Sequence, residues 1–217
     1  PTKFIKSGMN NNIFVNTIPH SGTHLVTAML DLLGYEHAIF RNRFYSAKPY
    51  YRRWQRAGIN WRTSAELGNL LHIFEKKNVP VSVASPRMAK PSVVTGLLSK
   101  IRDSQYIIGH MPYSEKGKEV IVKNISVTIT VIRDPRDMAL SMVSHIKTRP
   151  QHHAYNFLFG ELSNQSERLS AVFFGYKNKY GHLVGVSNMF KSMLLWQKES
   201  NNITLKFEDL VGEKGGG

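Results

Sequence analysis

Apolar residues along this chain come in short runs separated by polar, glycine- and proline-bearing breaks. The first run, Ile13 to Ile18, is rich in β-branched residues and predicts a buried strand. Pro19 stops it, and His20-Ser21-Gly22-Thr23-His24 follows as a tight loop. Leu25, Ala28, Met29 and Leu32 then fall at helical spacing, with Gly34 placed as a C-terminal cap. Further on, the pattern predicts a helix over Ser64 to Lys77, an irregular stretch from Pro80 to Pro91 and a short helix over Ser92 to Arg102. Tyr106 to Gly109 is a short buried strand that delivers His110. Glu115 to Asn124 is a partly helical connector. Ser126 to Ile132 is the strongest strand signal. It runs into Arg133 and then a helix to about Lys147, with Asp134 as N-cap, Pro135 at its first position and Met138, Met142 and Ile146 packing inward. Thr148 to Tyr155 reads as loop, Leu162 to Tyr176 and Val186 to Lys198 as helices, and Ile203 to Phe207 as a fourth strand.

Strand and helix alternating at these spacings predict an α/β fold in three layers, a mostly parallel sheet with helices on both faces. Ligands in such sheets bind beyond the C-terminal ends of the strands. Three of the four strands end in chemically capable groups: the Pro19 to His24 loop, His110, and Arg133. They should converge on one crevice. A strand-loop-helix with Gly22 at its turn directs backbone N–H groups and the positive helix end at one spot, which suits an anion. Ser21 and Thr23 add hydroxyls. The GxxxxGK[ST] pattern of a Walker loop is missing, which counts against a P-loop kinase.

Length and charge sharpen this picture. At 217 residues one domain spanning 1–217 is the natural expectation. The chain holds 29 Lys and Arg against 15 Asp and Glu, a formal +14, which suits a polyanionic partner. Phe40 to Arg62 carries seven basic residues, seven aromatics and no acid, a composition found in single-strand nucleic-acid grooves and equally in a solvated segment with aromatic anchors. A non-catalytic polyanion or nucleic-acid binder using residues 40–62 is therefore the competing reading. Cysteine is absent, which excludes disulfides and thiolate metal sites; His152-His153 are adjacent rather than spaced as ligands, so no metal site is expected. No apolar stretch reaches membrane-spanning length and no signal-like segment opens the chain, so a soluble, cytoplasmic protein is expected. The chain opens on Pro1 and stops at Gly215 to Gly217, so further segments are expected beyond its ends.

Together these motifs resemble the sulfotransferases that use 3′-phosphoadenosine 5′-phosphosulfate (PAPS). Ile18 to Thr23 is similar to the family's 5′-phosphosulfate loop, usually written with Lys-Ser-Gly-Thr. Gly109-His110-Met111-Pro112 resembles the stretch carrying its catalytic base. Arg133 and Ser141 in RDPRDMALS resemble its 3′-phosphate site, and Glu208-Asp209-Leu210 a later family segment. The resemblance implies a P-loop-like sulfotransferase architecture. It implies PAPS as co-substrate and 3′,5′-adenosine bisphosphate (PAP) as product, with no metal. His110 is then the general base. His20, Ser21, Gly22, Thr23 and His24 hold the 5′-phosphosulfate, and Arg133 with Ser141 the 3′-phosphate. The acceptor is a small-molecule, glycan or phenolic hydroxyl, or an amine, and nucleic acid is not expected as a partner. Three departures stand out. His20 replaces the usual lysine, and must be protonated to do its work. Leu25 replaces the common tryptophan, leaving Phe190 or Trp196 to stack on adenine. The late Arg-Lys-Gly clamp is absent from the chain.

Overall fold

The computed structural model describes residues 11–38, 74–84 and 87–212. The basic-aromatic stretch at 40–62 lies outside them, as do residues 64–73 of the expected helix at 64–77; the remainder, from Phe74 on, is turn and coil. In chain order come β1 (Ile13–Asn16), α1 (Thr23–Leu32), β2 (Glu36–His37), β3 (Val79–Ser82) and β4 (Arg87–Ala89). Then follow α2 (Pro91–Leu98), β5 (Gln105–Gly109), α3 (Glu115–Asn124), β6 (Val127–Ile132) and α4 (Pro135–Lys147). A π-helical turn (Asn156–Glu161) leads to α5 (Gln165–Phe174), β7 (Gly175–Asn178), β8 (Gly181–Val184) and α6 (Val186–Leu194). A 3₁₀ turn (Leu195–Lys198), β9 (Asn202–Lys206) and α7 (Phe207–Val211) complete the described chain.

Five strands form one parallel sheet in the order β2-β5-β1-β6-β9. Side chains alternate between its faces, which separates two cores. Ile13, Val15, Tyr106, Ile108, Ile129 and Val131 meet Val26 and Leu30 of α1 on one face. Phe14 and Ile107 meet Leu98, Ile121, Met142 and Met189 on the other, under α2, α3, α4 and α6. The sheet is thus covered on both sides, the three-layer α/β arrangement expected from the alternation of elements.

Several local expectations are corrected. The first strand ends at Asn16, not Ile18. Within the stretch from Pro80 to Pro91, expected to be irregular, β3 pairs antiparallel with β4. The sheet gains the two-residue edge strand β2. The helix expected from Leu162 to Tyr176 starts at Gln165 and stops at Phe174, where Gly175 at φ 81° turns the chain into the β7–β8 hairpin. On α1 the buried face is Val26, Thr27 and Leu30, whereas Met29 and Leu32 are exposed. That helix is apolar nearly all round, so periodicity offered two stripes, and the sheet selected the other one.

Candidate active site

Parallel pairing brings the C-terminal strand ends to one edge. Asn16 at the end of β1 is level with Gly109 at the end of β5. Beside them β6, with Ile129 level with Val15, continues to Ile132 and carries Arg133 past the end of β1. The β1 and β5 ends are locked together by the fully buried Asn16. Its Nδ2 donates to the Met111 carbonyl at 3.0 Å, and its Oδ1 accepts from the Met111 N–H at 2.7 Å. Gly109 permits this closeness, since a Cβ there would lie 2.3 Å from the Phe14 ring.

His110 follows directly. Its Nδ1 lies 2.6 Å from the Thr17 carbonyl oxygen. A carbonyl only accepts, so Nδ1 carries the proton and Nε2 carries the basic lone pair of the neutral ring. Thr17 is also tied to the loop, with its Oγ1 2.6 Å from Thr23 Oγ1. His110 and the loop therefore share one anchor.

The loop differs from expectation in what Ser21 does. Its N–H and its Oγ both donate to the Ile18 carbonyl, at 3.1 and 2.8 Å, and the side chain is fully buried. Ser21 holds the turn, and its donors are spent there. Gly22 has φ 110°, a left-handed conformation suited to glycine, and a Cβ would meet Phe207 at 2.5 Å. His20 also takes a positive φ, 69°, which is uncommon away from glycine and marks a constrained site. No side chain caps α1, which leaves the N–H groups of its first turn, at Thr23 and His24, to an anion. The His24 side chain is exposed and joins the site through its backbone alone.

Arg133 closes the other side. Its Nη1 donates to the His20 carbonyl at 3.3 Å, and its guanidinium lies 4.3 Å over the Phe207 ring. Its Nε is buried without a hydrogen-bond partner, and no carboxylate pairs with it among the described residues. Glu208 accepts from the Asp134 N–H at 2.9 Å, which fixes the α4 entrance to α7. Ser141, two turns along α4, places its Oγ 3.3 Å from His20 Nδ1. The structure thus joins His20, Arg133 and Ser141 directly, and His110 with Thr23 through Thr17.

His20 departs from the expectation that it carries charge. Its pKa is lowered to about 4, chiefly by burial and then by His145, His110, Arg149 and Arg133. Without a ligand it is neutral at pH 7. His152, beyond the end of α4, is lowered to about 4 by burial, His153, His145 and Arg149. Both groups bind protons more readily in the unfolded chain, at about 6.5, than in the folded one. Their contribution is fully favourable above pH 6.5 and is lost as pH falls toward 4. Urea unfolding at pH 7.5 and at pH 4.5 should show this loss. His20→Gln should remove up to about 3 kcal/mol of it. An identical pH dependence in the variant would mean that His20 is not held neutral.

Of the two aromatic residues expected to stack on adenine, Trp196 is excluded. It is fully buried in the core and its Nε1 donates to the Met111 carbonyl at 2.9 Å. Phe190 instead lines a cavity of about 400 Å³ with Pro135, Phe173 and Phe174, two residues beyond Arg133. Sequence reasoning missed Asn16, Thr17 and Phe207 as parts of the site. The first two follow the apolar strand as an uninterrupted polar pair, a signal that could have been read; the closeness of Phe207 to Gly22 is tertiary and had none.

Three comparisons bear on this arrangement. A family model described as "Sulfotransferase domain" matches residues 10–214. No curated protein matches the chain. Among solved structures, that of mouse sulfotransferase SULT7A1 complexed with PAP is similar at a TM-score of 0.46 and 15% identity, over 94% of this chain and 54% of that one. The chain therefore spans about half the length of that structure.

Proposed function

The chain belongs to the sulfotransferase family, and from that premise we propose that it transfers a sulfuryl group from PAPS to a hydroxyl or amine acceptor. The observation that carries the reading is Arg133, half-buried beside the glycine loop with no carboxylate partner among the described residues. A guanidinium in such a place implies an external anion. In this reading the 5′-phosphosulfate lies against the open N–H groups at the start of α1, with Thr23 Oγ1 alongside. Arg133 and Ser141 take the 3′-phosphate. Phe190 and the cavity beside Pro135 take the adenine.

The acceptor oxygen attacks sulfur as the bond from sulfur to the bridging oxygen breaks. The electron pair leaves with that oxygen on the 5′-phosphate of PAP. His110 Nε2 takes the acceptor's proton, with Nδ1 held by the Thr17 carbonyl. Positioning and charge stabilisation supply most of the rate in transfers of this type. No helix among the described residues is long and apolar enough to cross a membrane.

The test is nucleotide preference. PAP should bind more tightly than AMP, because Arg133 and Ser141 engage only the 3′-phosphate. A charge-assisted hydrogen bond contributes roughly 1.5–3 kcal/mol, about ten- to a hundred-fold in affinity. Arg133→Ala should erase most of that preference in calorimetric titrations. Equal affinity of the wild type for PAP and AMP would overturn the assignment.

A further inference from the structure

Beyond the nucleotide site a row of basic side chains continues along α4. Ser141, His145 and Arg149 are spaced by four residues and share one face of the helix or its extension. Eight residues of helix rise about 12 Å, far beyond hydrogen-bond reach of one phosphate. The rings are in contact: His20 to His145 at 4.8 Å between centroids, His145 to His152 at 6.3 Å, and His152 to His153 at 4.4 Å. Arg149 Nη1 donates to the His145 carbonyl at 3.1 Å, and the His152 N–H donates to the Arg149 carbonyl at 2.9 Å, so the turn after α4 folds back onto the row. His152 Nδ1 accepts from the Ala154 N–H at 3.1 Å, which places the ring proton on Nε2 as a donor.

No acid balances this row. The groups that act electrostatically on His20, His145 and His152 are all basic. No carboxylate among the described residues forms an ion pair with Arg149. Nor do three or more of the described histidines and acids form a group able to hold a metal ion. Burial holds His20 and His152 neutral at pH 7, so Arg149 is the fixed charge of the row, and a guanidinium without a carboxylate beside neutral ring N–H donors suits an external oxyanion. The two phosphates of PAP are already accounted for at the loop and at Arg133. The His20 and His145 rings touch, so the row starts at the glycine loop and not on a remote surface.

We propose that His145, Arg149, His152 and His153 form an acceptor subsite for an oxyanion, so that the preferred acceptor carries one sulfate, phosphate or carboxylate besides the group that is sulfated. This rests on the sulfotransferase reading and names the acceptor class for it. The oxyanion sits across the row, with Arg149 and the His152 Nε2–H as donors, and holds the acceptor's reacting group toward His110.

The experiment is calorimetric titration of the PAP-saturated protein with galactose, galactose 6-sulfate, galactose 6-phosphate and galacturonate. At least one anionic sugar should bind about tenfold or more tightly than galactose, and the order among the three identifies the oxyanion. Arg149→Gln combined with His153→Gln should bring all four within about threefold, with PAP still bound to saturation. Arg149→Lys should keep most of the preference. Should the double variant not fold, Arg149→Gln and Arg149→Lys singly carry the comparison. Equal binding of the four sugars, or a preference that survives in the glutamine variants, overturns the subsite while leaving the sulfotransferase reading in place. Failure of the wild type to bind PAP overturns both.

Discussion

Replacing His110 with alanine should abolish sulfuryl transfer while leaving PAP binding within about a few-fold of wild type. Loss of a general base typically costs about 10²–10⁴ in rate. The geometry makes this sharper than the residue's identity alone. The Thr17 carbonyl 2.6 Å from Nδ1 fixes both the tautomer and the ring plane. The basic nitrogen is therefore set before any acceptor arrives. In the proposed reading the main nucleotide contacts come from other elements, the start of α1 and Arg133, so binding should survive. Initial rates with PAPS and a phenolic acceptor, beside calorimetric PAP titrations, separate the two effects. Wild-type turnover in His110→Ala would place the base elsewhere.

How far this site could be read from the sequence depends on which contacts are local. The β1 and β6 strands announce themselves through β-branched runs, because a strand buried on both faces has few polar positions. The α4 entrance was legible because Asp134 and Pro135 act on their own neighbours; Asp134 Oδ1 indeed accepts from the Arg136 N–H at 2.8 Å. Parallel alternation then sufficed to predict that His110, Arg133 and the first loop meet. What stayed hidden is tertiary. The Asn16 clamp on Met111 joins residues 95 apart in sequence. The inward turn of Ser21 follows from a backbone conformation that a serine does not advertise. The exposed side of α1 could not be chosen while both of its stripes were apolar. The pKa of His20 is set by burial and by four basic groups on other elements, none of which adjoins it in sequence.

That last point changes the expectation for His20→Lys, the substitution that restores the residue usual in the family. In the proposed reaction a protonated His20 stabilises the departing phosphate, yet in the ligand-free protein its pKa is about 4. To be charged at pH 7 when PAPS is bound, its pKa must rise by about 3 units, which draws about 4 kcal/mol from the nucleotide's interactions. The anionic phosphosulfate acts in the right direction, and Ser141 Oγ 3.3 Å from Nδ1 can accept the added proton's hydrogen bond. The requirement still depresses net nucleotide affinity near neutral pH. Affinity for PAPS should then rise as pH falls from 8 toward 5, because binding takes up a proton. Turnover at saturating PAPS should be bell-shaped, rising as His110 loses its proton and falling as bound His20 loses its own. Where the two couple, the limbs belong to the pair. A lysine in the same place starts from about 10.4 and, lowered by a similar margin, still titrates near 8 before any ligand arrives. His20→Lys should therefore bind PAPS about tenfold or more tightly at pH 7.5, with a flatter pH dependence, and its alkaline limb should move up by about a unit or more. An alkaline limb and a pH-dependent affinity identical to wild type would transfer the role of His20 to another cation of the site, and Arg133, whose guanidinium already touches the His20 carbonyl, would be the group to replace next.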